Sequence, residues 1–302
     1  MKLLVVIVTY NAMQWAERCF ASIKNSTVRS YVFVVDNGST DGTQAFIKGH
    51  YPEVMFHQSE ENLGFGKANN MGLQYALDHN YDYVYLLNQD AWVQNDTFER
   101  LIEISKKYPE YGILSPFQMN ADLYHIDHNF IVYVCAWSSN PDIMNDLYNN
   151  NLQVIYNVNN VMAAHWFIPI VTIKTIGGFS PSFPHYGEDE NYVARAVYKG
   201  IKVGVVPSLR VVHDRGEREE TKKQNIYMGY INFIKSLSKP QNTILKAFLK
   251  STYIVFRDVF MYTSMMPIKY YFKNICNLRD LLRNRQISVK CECAFLVKKK
   301  TQ

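Results

Sequence analysis

Along the first ninety residues, short apolar runs alternate with amphipathic stretches at a regular pace. Leu3 to Val8 is unbroken aliphatic sequence. A run of that length without helical period fits a strand buried on both faces, as in a parallel sheet. Thr9-Tyr10-Asn11 ends it, and Trp15, Cys19, Phe20 and Ile23 follow in a helical pattern. Tyr31 to Val35 is the second such strand, stopping in Asp36-Asn37-Gly38-Ser39-Thr40-Asp41-Gly42-Thr43. This loop is dense in turn formers, and Asp41 or Thr43 is placed to cap a helix carrying Ala45, Phe46 and Ile47. Val54 to His57 is a third, shorter strand; Asn62 to Asn70 then leads into a helix ending near His79-Asn80. Tyr83 to Leu87 is the fourth strand and breaks off in Asn88-Gln89-Asp90. The order β-α-β-α-β-α-β predicts a doubly wound, nucleotide-binding half of an α/β protein.

Further on the pattern is weaker. Residues 118–160 hold His125, His128, Trp137 and many Asn, with few clear elements; the two histidines are spaced for one helix face. Val161 to Ile170 reads as a returning strand. Gly187-Glu188-Asp189-Glu190 opens a helix whose inner face carries Val193, Ala196 and Val197. Ile226 to Leu237 reads as helical. Residues 243–283 mix Leu, Phe, Tyr, Ile and Met with Lys246, Lys250, Arg257, Lys269 and Lys273. No apolar run there reaches the ~18 residues that span a bilayer.

Composition narrows the function classes. The 302 residues are 48% apolar, enough for a sizeable core, and the aromatic content is dominated by 22 Tyr. The net charge of +5 gathers in the last third, ending in Lys298-Lys299-Lys300. No dense basic patch interleaved with stacking aromatics appears, so nucleic acid is excluded as the expected partner. Five irregularly spaced cysteines do not resemble a secreted disulfide framework and fit a reducing compartment. Cys291-Glu292-Cys293 has no second Cys or His pair nearby with which to hold a metal. The opening apolar run is too short for an export signal and reads as a strand.

Candidate chemistry sits at the strand ends, where ligands collect in open α/β sheets. A carboxylate at Asp90 can hold a hard divalent cation against a phosphorylated ligand, or it can cap the next helix. A dinucleotide cofactor is not expected. Gly64-x-Gly66-x-x-Asn69 lacks the third glycine and does not follow the first strand, whose own end is Thr-Tyr-Asn.

Taken together, Val8-Thr9-Tyr10-Asn11, Val35-Asp36-Asn37-Gly38-Ser39-Thr40-Asp41, Asn62-Leu63-Gly64-Phe65-Gly66 and Leu86-Leu87-Asn88-Gln89-Asp90 resemble the family 2 glycosyltransferases of the GT-A fold. The resemblance continues through Gly177-Gly178-Phe179 and Gly187-Glu188-Asp189 to His213, covering about the first 215 residues in one order. It is strongest to the branch with bacterial rhamnosyl- and galactofuranosyl-transferases. It implies a GT-A catalytic domain over 1–215 and a helical C-terminal extension over 216–302. The implied activity is inverting transfer from a nucleoside-diphosphate sugar to a saccharide or lipid-linked saccharide in cell-surface polysaccharide synthesis. It also assigns roles. Thr9, Tyr10 and Asn11 would meet the nucleoside, and Asp36 would accept a hydrogen bond from the base. Asn62 and Asn69 would contact ribose or phosphate, with capping and turn formation as their alternative work. Asp90 and His213 would hold Mn²⁺ or Mg²⁺, and Asp90 would also face the donor. The family often has a second carboxylate where Asn88 stands, so metal affinity is the point that departure touches. Asp189 would be the base that takes the acceptor's proton. A helix N-terminus lowers its pKa while Glu188 and Glu190 raise it, and the sequence leaves that contest open. Residues 118–160 would shape the acceptor side, with Ala163-Ala164 leaving room for the sugar.

The tail has two readings. Aromatic and basic residues together on helices fit an interfacial anchor on anionic lipid; helices packed on the catalytic domain or a dimer partner fit equally. Either way the expected place of work is the cytoplasm or the inner membrane face. The charged stretch Arg215 to Lys223 is a solvated loop, a helix start or a lid over the diphosphate. A processive synthase is not expected, because neither adjacent membrane spans nor a Gln-x-x-Arg-Trp sequence follows the acidic helix. Asn88 keeps a second class open: a non-catalytic sugar-nucleotide-binding or assembly protein.

Overall fold

A computed structural model describes residues 1–136, 140, 142–216 and 221–297. Trp137, the middle of the charged stretch (Glu217, Arg218, Glu219 and Glu220) and Lys298-Lys299-Lys300 lie outside the described residues.

The strands are β1 Leu3–Thr9, β2 Tyr31–Asp36, β3 Met55–Gln58, β4 Tyr83–Asn88, β5 Ala91–Trp92, β6 Tyr111–Met119, β7 Tyr156–Asn157, β8 His165–Pro169 and β9 Lys202–His213. They form one mixed sheet in the order β3-β2-β1-β4-β8-β6-β9-β5, with β7 also on β9. The expected β-α-β-α-β-α-β half is present, and β1 pairs parallel with both β2 and β4. β1 explains why the unbroken aliphatic run means a doubly covered strand. Leu4 and Val6 belong to the core on one face, and Leu3, Val5 and Ile7 to the core on the other.

Strand direction then decides where polar residues gather. β8 runs antiparallel to β4 and to β6, and β6 runs parallel to β9. The carboxyl ends of β1, β2, β4 and β9 therefore emerge at one edge, together with the amino end of β8. Register sharpens this: Thr9 pairs with Asp36, and Val8 with Asn88.

Several local expectations need correcting. The returning strand is only His165–Pro169, because Pro169 turns the chain into the helix Ile170–Ile176. His125 and His128 do not share a helix. His125 sits in a turn against Asp122, at 2.6 Å, and His128 starts the short helix His128–Ile131. In the helix Glu188–Tyr198, Val193 and Ala196 are buried, but Val197 is 37% exposed. Gly42, with φ +93°, occupies the N-cap of Thr43–His50, and Asp41 instead accepts from the Thr43 backbone.

The extension is helical: Lys222–Ser238, Ile244–Tyr262, Met266–Cys276 and Leu278–Lys290. Tyr230, Ile231, Phe233, Ile234 and Leu237 form its core with Ala247 and Leu281, and Phe183, which precedes the acidic helix in the chain, joins them. The chain then returns. Residues 293–297 lie across Gly177-Gly178, with Gly178 N–H donating to Ala294 O at 2.8 Å and Gln74 bonding both backbone groups of Val297. Among the described residues no helix is long and apolar enough to cross a membrane. All five cysteines are thiols without a disulfide.

Candidate active site

A cavity of about 550 Å³ opens at the sheet edge where those strand ends meet. Its walls include Tyr10, Asn11, Asn62, Asp90, Asp189 and His213, so six expected site residues from distant parts of the chain share it. Asn88, Ala163, Ala164 and Arg215 line it as well.

Three expected contacts are not on its surface. Asp36 has no exposed area and accepts from Thr9 Oγ1, the Gly38 and Ser39 amides, Ser39 Oγ and Gln44 Nε2, at 2.6–3.2 Å. Five donors saturate a buried carboxylate. Asp36 and Thr9 thus lie beneath the cavity floor and hold the 38–44 loop in shape, rather than reaching into the space. Asn69 is buried in the helix Gly64–Asp78 and donates to Phe65 O at 3.0 Å, back into its own helix.

The residues that do face the cavity are held from behind. Asn11, at φ +50°, accepts the Thr40 amide at 2.9 Å and its own N–H donates to Ser39 Oγ. Gln89 clasps Tyr10 by both backbone groups, at 2.6 and 3.2 Å, which leaves the half-exposed Tyr10 ring at the rim. Asn62 Oδ1 accepts the Gly64 amide at 2.9 Å and fixes the turn before the helix.

Asp90 and His213 meet because β5 pairs antiparallel with the end of β9. Ala91 is opposite His213, and Asp214 N–H donates to Asp90 O at 2.7 Å. His213 Nε2 lies 3.6 Å from Asp90 Oδ1, and its Nδ1 lies 3.5 Å from Asp127 Oδ2. All three side chains are nearly buried. Asp127 caps the short helix by accepting Phe130 N–H at 2.7 Å, and burial raises its pKa. A carboxylate oxygen and an imidazole nitrogen this near each other suit a hard or borderline divalent cation. Among the described residues no group of three or more His, Cys, Asp or Glu forms an all-protein cage. The donor set therefore fits an ion shared with ligand oxygens, and Asp127 stands where a second carboxylate orients a ligating histidine.

The acidic helix start brings three consecutive carboxylates into three different environments. Gly187, at φ +86°, turns the chain into the helix Glu188–Tyr198. Glu188 is buried, and its pKa is pushed up to about 8 by desolvation and then by the charges of Asp189 and Glu190. Asp189 faces the cavity and is raised to about 6, first by desolvation and then by Glu190. The Glu190 amide, the Ala163 backbone and Lys235 oppose the rise without overcoming it. Glu190 is paired with Lys235 Nζ at 2.7 Å. The contest left open by the sequence is thus decided by burial. The result is a neutral neighbour, a carboxylate that titrates near pH 6 and an anion neutralised by its lysine.

Sequence reasoning missed Asp127, Gln89, Lys235 and the aromatic rim of Trp15, Tyr133 and Tyr186. Only Asp127 carries a local signal, an Asp immediately before a helical turn, and that signal speaks of capping alone.

A family model described as glycosyl transferase family 2 matches residues 4–163. The chain is 33% identical over 127 residues to an N-acetylglucosaminyl-diphospho-decaprenol L-rhamnosyltransferase of Mycobacterium tuberculosis, a match covering 39% of this chain and 41% of that protein. It is 24% identical over 233 residues to the low-salt glycan biosynthesis hexosyltransferase Agl10 of Haloferax volcanii, covering 76% and 72%. Among solved structures, S. aureus TarS 1–349 in complex with UDP-GlcNAc is similar with a TM-score of 0.54 at 14% identity, over 96% of this chain and 82% of that one. The mannosyltransferase PcManGT of Pyrobaculum calidifontis, in complex with GDP-Man and Mn²⁺, gives 0.57 at 18% identity over 91% and 75%. At those identities the likeness establishes the fold, which is that of GT-A glycosyltransferases.

Proposed function

Because the chain belongs to glycosyl transferase family 2, we propose that it moves a hexosyl or deoxyhexosyl group, with inversion, from a nucleoside-diphosphate sugar to a saccharide or lipid-linked saccharide. The observation that carries this reading is a single cavity lined both by Asp189 and by the Asp90–His213 pair.

In this reading residues 1–215 perform the chemistry. Tyr10, Asn11 and Asn62 receive the nucleoside and ribose, while Thr9 and Asp36 act from below by fixing the loop. Asp189 accepts the proton of the acceptor hydroxyl as its oxygen attacks the anomeric carbon. The bond from that carbon to the diphosphate oxygen breaks, and the nucleoside diphosphate leaves with the electron pair. A base with a pKa of about 6 is ionised at neutral pH and still accepts a proton readily. Ala163 and Ala164, with their small side chains, leave room for the transferred sugar beside it. Asp90 and His213 would hold Mn²⁺ or Mg²⁺, which supplies charge to stabilise the leaving diphosphate. Arg215, also on the wall, adds a positive charge there.

One relative supports a lipid-linked acceptor. The mycobacterial protein is named for a decaprenol-linked sugar diphosphate, and we extend the lipid-linked class, not that molecule, to this chain. One feature favours a second reading: Asn88 lines the cavity, at the position where the resembled family's motif often has a second carboxylate. A non-catalytic binder would hold a nucleotide sugar tightly and never release the diphosphate.

The test is nucleoside-diphosphate release from uridine, thymidine and guanosine diphosphate-sugars with Mn²⁺, by wild type and Asp189→Asn. Release that requires Asp189 supports the enzyme. Tight binding without release in any combination supports the binder.

A further inference from the structure

The helix Ile244–Tyr262 is amphipathic in a sense that the protein interior does not use. Leu245, Leu249, Tyr253, Phe256 and Phe260 are 70%, 61%, 68%, 59% and 83% exposed. Their spacing of four, four, three and four places them in one band along the helix. The opposite side carries Ala247, Ser251 and Asp258, which are buried, Ala247 within the core of the extension. The apolar band is therefore the outward face. Met261 in the last turn of the helix, and Met265 and Phe272 beyond it, are exposed as well.

Charge borders the band on one side. Lys246, Lys250 and Arg257 each follow a band residue by one position, about 100° further round the helix. All three are exposed, as are Lys269 and Lys273 on the next helix. Arg257 is partly neutralised by Asp258 at 2.7 Å, and Lys273 lies 5.4 Å over the Tyr230 ring. Lys246, Lys250 and Lys269 enter no ion pair among the described residues. Across residues 243–297 the sequence carries nine basic residues against three acidic.

We propose that this face docks on an anionic phospholipid bilayer, with the helix lying flat, its aromatic and aliphatic band in the acyl boundary and its lysine shoulder among the headgroups. At 19 residues the helix extends about 28 Å along such a surface. Among the described residues no helix is apolar and long enough to cross, so the face lies on the membrane rather than spanning it. Charge decides between a bilayer and a second copy of the chain. In a two-fold pairing of this face, one lysine shoulder meets a patch that offers no carboxylate on the band, whereas phosphatidylglycerol headgroups complement it directly. The docking reading is independent of the transfer chemistry, though it would bring the cavity to where a lipid-linked acceptor resides.

The experiment is flotation of the full chain with phosphatidylcholine vesicles and with vesicles also containing phosphatidylglycerol. Wild type and Asp189→Asn should float with the anionic vesicles and remain behind with the neutral ones. Leu249→Glu combined with Phe256→Glu should abolish flotation. Lys246→Gln with Lys250→Gln, which leaves the band intact, should weaken it about fivefold per lysine. Thermal melts of the variants verify that each is folded. Absence of flotation by folded wild type overturns the proposal. So does equal binding to neutral vesicles with no effect of the lysine pair, or a wild-type dimer in solution that the glutamate variant dissociates.

Discussion

Lys235 Nζ lies 2.7 Å from Glu190 Oε1 and ties the first helix of the C-terminal extension to the start of the acidic helix. Both side chains are mostly buried, so the pair is screened far less than a surface ion pair. Its consequence falls on the neighbouring residue. Lys235 lowers the pKa of Asp189 directly and shields it from Glu190.

Lys235→Met should therefore move the acid limb of the kcat/KM profile to higher pH, since both the positive charge and the neutralisation of Glu190 are lost. Lys235→Arg should restore most of the wild-type profile. An unchanged limb in the methionine variant would show that the pair serves folding alone.

In wild type that limb should lie near pH 6, because Asp189 in the proposed role of base acts only when ionised, and its pKa is raised to about 6. Asp189→Asn should lower turnover by roughly 10²–10⁴-fold while leaving nucleotide binding within a few-fold. The comparison is a steady-state profile beside a calorimetric titration with the nucleoside diphosphate.

Glu188 gives a stability prediction of definite sign. Its folded pKa is raised from 4.5 to about 8, so the folded state holds its proton where the unfolded chain has released it. That linkage costs nothing below about pH 4.5, grows through the window up to about pH 8 and is constant above. Glu188→Gln removes the cost. Its Tm should match wild type at pH 4 and exceed it at pH 8, by on the order of 5 °C. A Tm difference of the same size at both pH values would contradict the assignment.

A cation shared between protein and nucleotide should stabilise the fold only when both are present. Mn²⁺ added with a nucleoside diphosphate should raise the Tm of wild type, and the Mn²⁺-dependent part should vanish in Asp90→Ala and His213→Ala. Asp127→Asn, which keeps an oxygen for the Phe130 amide but removes the charge facing the histidine, should weaken apparent Mn²⁺ affinity about 10–100-fold. Differential scanning fluorimetry across a Mn²⁺ titration reads all three.

Gly177 shows how closely the returning tail packs on the rest of the chain. Its φ is +89°, and a Cβ there would stand 2.0 Å from Ala294 O. Both the conformation and the clash with backbone forbid a side chain. Gly177→Ala should cost on the order of 3 kcal/mol or more in denaturant unfolding, whereas Gly200→Ala meets nothing within 4 Å and pays only for its positive φ.

What the sequence determined by itself was the β-α-β-α-β-α-β half and the residue types at the strand ends that line the cavity. Continuous aliphatic runs such as Leu3–Val8 have one stable use, a strand covered on both faces, and their abrupt polar ends mark where ligands can be met. Burial periodicity is a local property, so it is written locally. What only the tertiary structure decided was which of those polar residues face the same space. Asp36 and Asp90 are the same residue type after similar strands, yet one is saturated beneath the floor and the other lies on the wall. The difference rests on Thr9, Ser39 and Gln44, and on the pairing of β5 with β9. Asp127 reaches His213 across 86 positions, and Lys235 reaches Glu190 across 45. The pKa of Asp189 likewise depends on burial by distant segments. Distances of that kind follow from strand direction and long-range packing, which no window of the chain contains.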